Sequence, residues 1–252
     1  MEPVRATQVA CASSPLSVTA VIHSYDDSAH ARTLVERGSS PDIRPECEVS
    51  ERGAHVTESS TVLRIEVIGD PQLLAGPLLG FFSSITVPPD LILATLDFAQ
   101  QLRNEEIAVV AGFHAPLEMR CLELLLRGGQ PIVVCLARSV ERYRPAVPLK
   151  AAIEAGRVAI ASCSFRSHRA SAEEGSKRND LVVTLAGRVM VVHGKAGSRT
   201  YRAAARAIDS GKEVFCFEHP RNADLILLGA RAISGERGTL DSRLRMRDRG
   251  RP

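Results

Sequence analysis

Six short apolar runs alternate with helical patterns through the middle of this chain, and no other feature restricts its fold more. The runs are Leu78–Phe82, Ile107–Ala111, Pro131–Cys135, Val158–Ala161, Val189–Val192 and Glu213–Phe217. Each is four or five residues long and nearly all apolar, and most are rich in valine and isoleucine. Strands buried on both faces of a parallel sheet read this way, whereas half-solvated strands alternate polar and apolar residues. Between the runs, Leu91–Leu102, Leu117–Leu126 and Ser198–Ser210 have helical character. Leu117–Leu126 follows Pro116 and stops at Gly128-Gly129, an order that favours helix start and then helix end. The alternation predicts a doubly wound α/β fold with a mostly parallel sheet.

The ends of the chain differ from this middle. Residues 1–60 carry five basic and nine acidic side chains and no sustained hydrophobic period. They are expected to form a weakly ordered acidic extension or a degenerate domain. Residues 235–252 hold six Arg against three acids and are expected to be a flexible tail. The core domain is placed at 61–234. The formal net charge of +3 therefore divides into an acidic extension, a core near +4 and a basic tail. Of the 32 basic residues 28 are Arg, whose planar fork suits phosphate, and there is no Trp on which bases could stack. The six cysteines show neither Cys-x-x-Cys pairs nor a metal-ligand spacing with His, so no disulfide framework, metal or cofactor is expected. No apolar segment suits a signal peptide or a membrane span, so a reduced, cytoplasmic protein is expected.

In an open parallel sheet, ligands bind beyond the C-terminal ends of the strands. The residues that follow the runs are therefore the site candidates: Ser83 and Ser84, then Gly112 and His114, then Lys195, Gly197, Ser198 and Thr200. Arg178 and Asn179 lie in the helical stretch before the fifth run. Lys195–Thr200 combines glycines, hydroxyls and cations at a strand-to-helix turn, where backbone N–H groups and the helix dipole favour a phosphate. A plain capped turn, with Ser198 or Thr200 as N-cap, fits the same residues. His114 and Glu118, four apart, suit either acid–base chemistry or packing and dipole complementation at a helix start.

Several motifs then carry a resemblance. They are Ile68-Gly-Asp-Pro-Gln-Leu-Leu74, Val110-Ala-Gly112 with Glu118 and Gly128-Gly129, Lys177-Arg-Asn179, the turn Lys195-Ala-Gly-Ser198 with Thr200, Gly211-Lys-Glu-Val-Phe215, and Asn222-Ala-Asp-Leu-Ile226 with Gly229-Ala230. In this order they resemble the Rossmann-like core of the DprA/Smf DNA-processing proteins, within a wider group that includes LOG-type phosphoribohydrolases. The resemblance implies a Rossmann-like fold and a non-enzymatic homodimer that binds single-stranded DNA and loads a recombinase. It also places Arg178, Lys195 and Ser198 in a basic pocket shaped by Asn179.

The departures are specific. Where the family has Gly-Ser-Arg after its first strand, this chain has Ser83-Ser84-Ile85. Its Gly-Ile-Asp is Pro116-Leu117-Glu118, the second Arg of Arg-Asn-Arg is Asp180, and the Glu ending the valine strand is His193. The LOG-type glutamate would fall at Ala203. No helical N-terminal domain or winged helix is recognisable. The expected function is therefore binding of single-stranded DNA without catalysis. The alternatives are sensing of a nucleotide-derived ligand and a LOG-type phosphoribohydrolase.

Overall fold

The computed structural model describes residues 6–10, 17–23, 63–164, 169–235 and 240–244. In order, its elements are β1 (Ala6–Ala10), β2 (Ser17–His23), β3 (Leu63–Ile68), β4 (Leu78–Phe82), α1 (Pro89–Asn104), β5 (Val109–Ala111), α2 (Pro116–Leu125), β6 (Ile132–Cys135), α3 (Val147–Glu154), β7 (Val158–Ser162), α4 (Ala172–Leu185), β8 (Ala186–Val191), α5 (Arg199–Asp209), β9 (Glu213–Phe217), α6 (Ala223–Leu228) and β10 (Arg231–Ile233). Each of the six apolar runs contains or overlaps one strand of a single sheet. The sheet order is β1-β2-β3-β7-β6-β5-β4-β8-β9-β10. Strands β4 to β10 are mutually parallel, and β3 joins the β7 edge antiparallel. The expected α/β class and mostly parallel, doubly wound sheet are what the chain forms.

The two faces of the sheet bury separate cores. Along β4, Leu79 and Phe81 point to one face and Leu78 and Phe82 to the other, as the period of a strand requires. Helices α1, α2 and α3 cover the first face with Phe98, Leu102, Cys121, Leu125 and Ile153. There Phe98 meets Phe217 edge-on at 5.8 Å. Helices α4, α5 and α6 cover the second with Leu181, Leu185, Ala203, Ala207 and Leu225. Small alanines on α5 let it lie close to the sheet. Cys121, Cys135 and Cys216 are free and buried, and burial pushes the Cys121 thiol up to about 12 and Cys216 up to about 11. They act as small apolar side chains.

The sheet also reaches outside the stretch placed at 61–234. β1 and β2 lie within residues 1–60, and β2 pairs parallel with β3 from Val18↔Leu63 to His23↔Ile68. The rest of that segment lies outside the described residues. Within the expected tail, Leu240 and Leu244 are 3% and 0% exposed, and Arg243 lies over the Phe215 ring at 5.7 Å. Leu240 and Leu244 join the core on the first face of the sheet.

One motif of the resemblance has a clear physical reason. Lys212, in Gly211-Lys-Glu-Val-Phe215, donates from Nζ to the carbonyls of Val183 at 2.6 Å, Thr184 at 3.0 Å and Ala186 at 2.6 Å. It thereby satisfies the C-terminal carbonyls of α4, where a cation also complements the helix dipole. Lys212→Met keeps the stem and removes the charge. It is expected to lower stability by about 2 kcal/mol, read as a shift in urea midpoint at unchanged slope. An unshifted midpoint would show that water replaces the ammonium without cost.

Candidate functional site

The chain lays down β4 at the centre of the parallel strands, moves outward to β7, and then returns through α4 to place β8 on the other side of β4. That reversal opens a crevice between the C-terminal ends of β4 and β8, the position where such sheets bind ligands. Val192 donates its N–H to Phe82 O at 2.9 Å and Ser84 donates to His193 O at 3.2 Å, so the two strand ends stay zipped to the floor of the crevice. The cleft above has a volume of about 420 Å³.

Eight of the ten expected residues line it: Ser83, Ser84, His114, Arg178, Asn179, Lys195, Ser198 and Thr200. The other two stand behind the lining. A Cβ on Gly112 would sit 2.7 Å from Arg178 Nε, so this glycine is what lets the guanidinium pack against the backbone after β5. Gly197 has φ +76°, the left-handed turn that leads into α5. Arg199 and Arg221 also line the cleft and were not among the expected residues. Arg199 is legible as the first residue of a helix after a glycine turn. Arg221 follows the sixth apolar run, at the same edge of the sheet as the other candidates.

The wall between β4 and α2 is built around one carboxylate. Glu118 is 1% exposed and sits in the first turn of α2. Ser83 donates its N–H to Glu118 Oε1 at 2.9 Å. Oε2 accepts from His114 N at 3.0 Å, Ala115 N at 3.4 Å and His114 Nδ1 at 3.0 Å. A carboxylate only accepts, so Nδ1 carries the His114 proton and Nε2 accepts from Arg178 Nη2 at 3.3 Å. Arg178 also donates to Asn179 Oδ1, from Nη2 at 2.8 Å and from Nε at 3.2 Å. Burial pushes the Arg178 guanidinium below its ordinary value, while Glu118 opposes the shift. Phe113, between Gly112 and His114, has φ +44°, a conformation that costs a non-glycine residue about 1–2 kcal/mol. The turn aims the His114 and Ala115 N–H groups at the carboxylate while the Phe113 ring stays buried.

Of the two roles open to His114 and Glu118, this network favours the anchoring one. Glu118 has both oxygens occupied, and its charge is matched by that of Arg178. Lys195, Arg199 and Arg221 are exposed and supply the remaining charge around the cleft. Ser198 is the N-cap of α5, accepting from Tyr201 N at 3.1 Å, and its hydroxyl proton remains available to an acceptor. The N–H groups of Arg199 and Thr200 fall in the first turn of α5, beside the same cleft. His193 Nδ1 lies 3.0 Å from Asn222 Oδ1, while Asn222 Nδ2 donates to Val192 O and Phe217 O. Asn222 thus ties the ends of β8 and β9 together, and in the neutral His193 ring Nε2 is the acceptor. Asp180, where the family has its second Arg, pairs with Arg206 on α5. Cations and a helix N-terminus thus surround a cleft whose buried carboxylate is already bonded.

Among the described residues no helix is long and apolar enough to cross a membrane. No curated protein sequence matches the chain. Solved structures share its fold, two DNA processing proteins among them. DNA processing protein A from Streptococcus pneumoniae superposes with a TM-score of 0.58 at 19% identity, over 68% of this chain and 63% of that one. The chain thus spans less than two thirds of that protein's length. DNA processing protein A from Helicobacter pylori, described as having a unique single-stranded DNA binding mode, gives 0.56 at 20% identity, over 67% of this chain and 80% of that one. At residues 51–235 the sequence matches the family profile described as DNA recombination-mediator protein A. That match takes in strands β3 to β10 and every residue lining the cleft, and on it the chain belongs to the DNA recombination-mediator protein A family.

Proposed function

We propose that this protein binds single-stranded DNA by holding its phosphates in the cleft between β4 and β8, without catalysis. The observation that carries the reading is the convergence of Arg178, Lys195, Arg199 and Arg221 with the N-terminus of α5 at one topological switch point. Membership of the family supports a nucleic-acid ligand, and the single-strand binding described for the Helicobacter pylori protein supports the choice of strand. In the same reading the protein works as a homodimer and passes its strand to a recombinase. Phosphate contacts suit this chain because it has no Trp and few aromatic residues.

Two observations weigh against a phosphoribohydrolase. Ala203 occupies the position of the LOG-type glutamate and is fully buried in α5. Glu118, the carboxylate nearest in role, is 1% exposed and already accepts four hydrogen bonds from the wall that it anchors. Incubation with AMP is expected to release no free adenine.

Salt dependence tests the binding itself. Four phosphate contacts predict a log–log slope near −3 for a single-stranded oligonucleotide, since each neutralised phosphate on a single strand contributes about −0.7. Filter binding between ~50 and ~300 mM NaCl reads that slope. A flat profile, or no binding at low salt, would overturn the proposal.

A further inference from the structure

A second hollow lies beside the cationic cleft, also with a volume of about 420 Å³, and its chemistry is different. Its walls are Ile85, Val87, Ile92, Pro116 and Leu117. Thr86 and Arg120 are its polar members, and Arg120 is tied to Glu123 at 2.9 Å. Ile85 and Thr86 line both hollows, so the turn from β4 to α1 is a wall common to the two. Ile85 is 66% exposed and Ile92 36% exposed, an apolar surface left facing water at the border of an anion site.

A ligand that fits both hollows joins an anionic group to a flat apolar one across a short spacer. A nucleotide has that construction: a phosphate, a sugar and a ring with two π faces. We infer that the apolar hollow holds the base of the nucleotide whose phosphate occupies the cleft, with the ring packed against Ile85 and Ile92. The inference rests on the phosphate reading above and adds to it a base-contacting subsite. The residue at 85 supports it from the sequence. Where the resembling family has an Arg after its first strand, this chain has an exposed isoleucine, which exchanges a charge for apolar contact area. Aliphatic walls offer dispersion and desolvation but no hydrogen-bond pattern, so the subsite accepts any base.

Two strands of equal length and charge separate base from backbone: oligothymidylate, and the same oligomer with every base replaced by an abasic tetrahydrofuran unit. At one salt concentration, anisotropy titration of the wild-type protein is expected to show oligothymidylate bound about fivefold more tightly, the lower end of what one base stacked on an aromatic ring contributes, since the walls here are aliphatic. Ile92→Asn and, separately, Ile85→Asn are expected to bring that ratio close to one. A wild-type ratio near one overturns the subsite while leaving the phosphate cleft standing. So does an unchanged ratio in both variants. Failure of the wild-type protein to bind either strand overturns the cleft and the subsite together. The wild-type comparison needs no variant to fold, and the isoleucines are exposed enough for asparagine to be tolerated.

Discussion

Glu118→Ala is expected to lower the unfolding free energy by about 3–5 kcal/mol, a large part of the roughly 5–15 kcal/mol that holds a domain of this kind together. The side chain contributes almost nothing by its own burial. Its removal leaves the N–H groups of Ser83, His114 and Ala115 and the Nδ1–H of His114 without their acceptor, and Ser83 and Ala115 are buried. It also leaves Arg178 as an uncompensated charge at 5% exposure. Each buried donor left unpaired costs about 1–3 kcal/mol, and relaxation of the turn recovers part of the sum. Urea unfolding followed by far-UV circular dichroism measures the loss. Glu118→Gln separates charge from hydrogen bonding, because the amide still accepts at one atom while its NH₂ faces donors. A loss below about 1 kcal/mol for the alanine variant would mean that Glu118 is not the anchor of the β4–α2 wall.

The second large effect concerns binding. Lys195→Ala combined with Arg199→Ala is expected to weaken single-strand binding about 30- to 100-fold near 0.1 M salt, or ~2–3 kcal/mol for two charge-assisted contacts exposed to solvent. The salt slope should fall by about 1.4, since two phosphates would no longer be neutralised. Both side chains are exposed and the Ser198 cap on α5 remains, so the thermal midpoint should stay within a degree or two of wild type. Arg178 is a poorer choice for this test. It lines the cleft but also bonds Asn179 and His114, so its loss would mix folding with affinity. Full affinity and an unchanged slope in the double variant would remove the turn after β8 from the binding site.

Strands β4 to β9 were legible because burial on both faces demands continuous apolar runs, and six such runs stand out between polar helix surfaces. β3 was harder to see. Leu63-Arg-Ile-Glu-Val-Ile68 alternates, and its Glu66 accepts from Ser139 Oγ at 3.1 Å and Val140 N at 3.3 Å, more than 70 residues away. β8 begins three residues before its apolar run, because Ala186, Gly187 and Arg188 follow α4 without a loop and Arg188 finds Glu213 on β9 at 2.9 Å. No local pattern announces a cation in a strand that is neutralised by the next strand.

By itself the sequence determined the α/β class, the positions of most parallel strands and the loops that gather at their C-terminal ends. Those follow from hydrophobic periodicity and turn chemistry, which act over a few residues. Only the tertiary structure decided what each polar side chain in those loops does. Ser83 and Glu118 are 35 residues apart, and Arg178 and His114 are 64 apart. Whether Glu118 is an acid, a base or an anchor depends on which donors the sheet order brings to it, and the order around β4 is set by long-range packing. For the same reason Lys195, Arg199 and Arg221 form one cationic wall only after β8 has been placed beside β4.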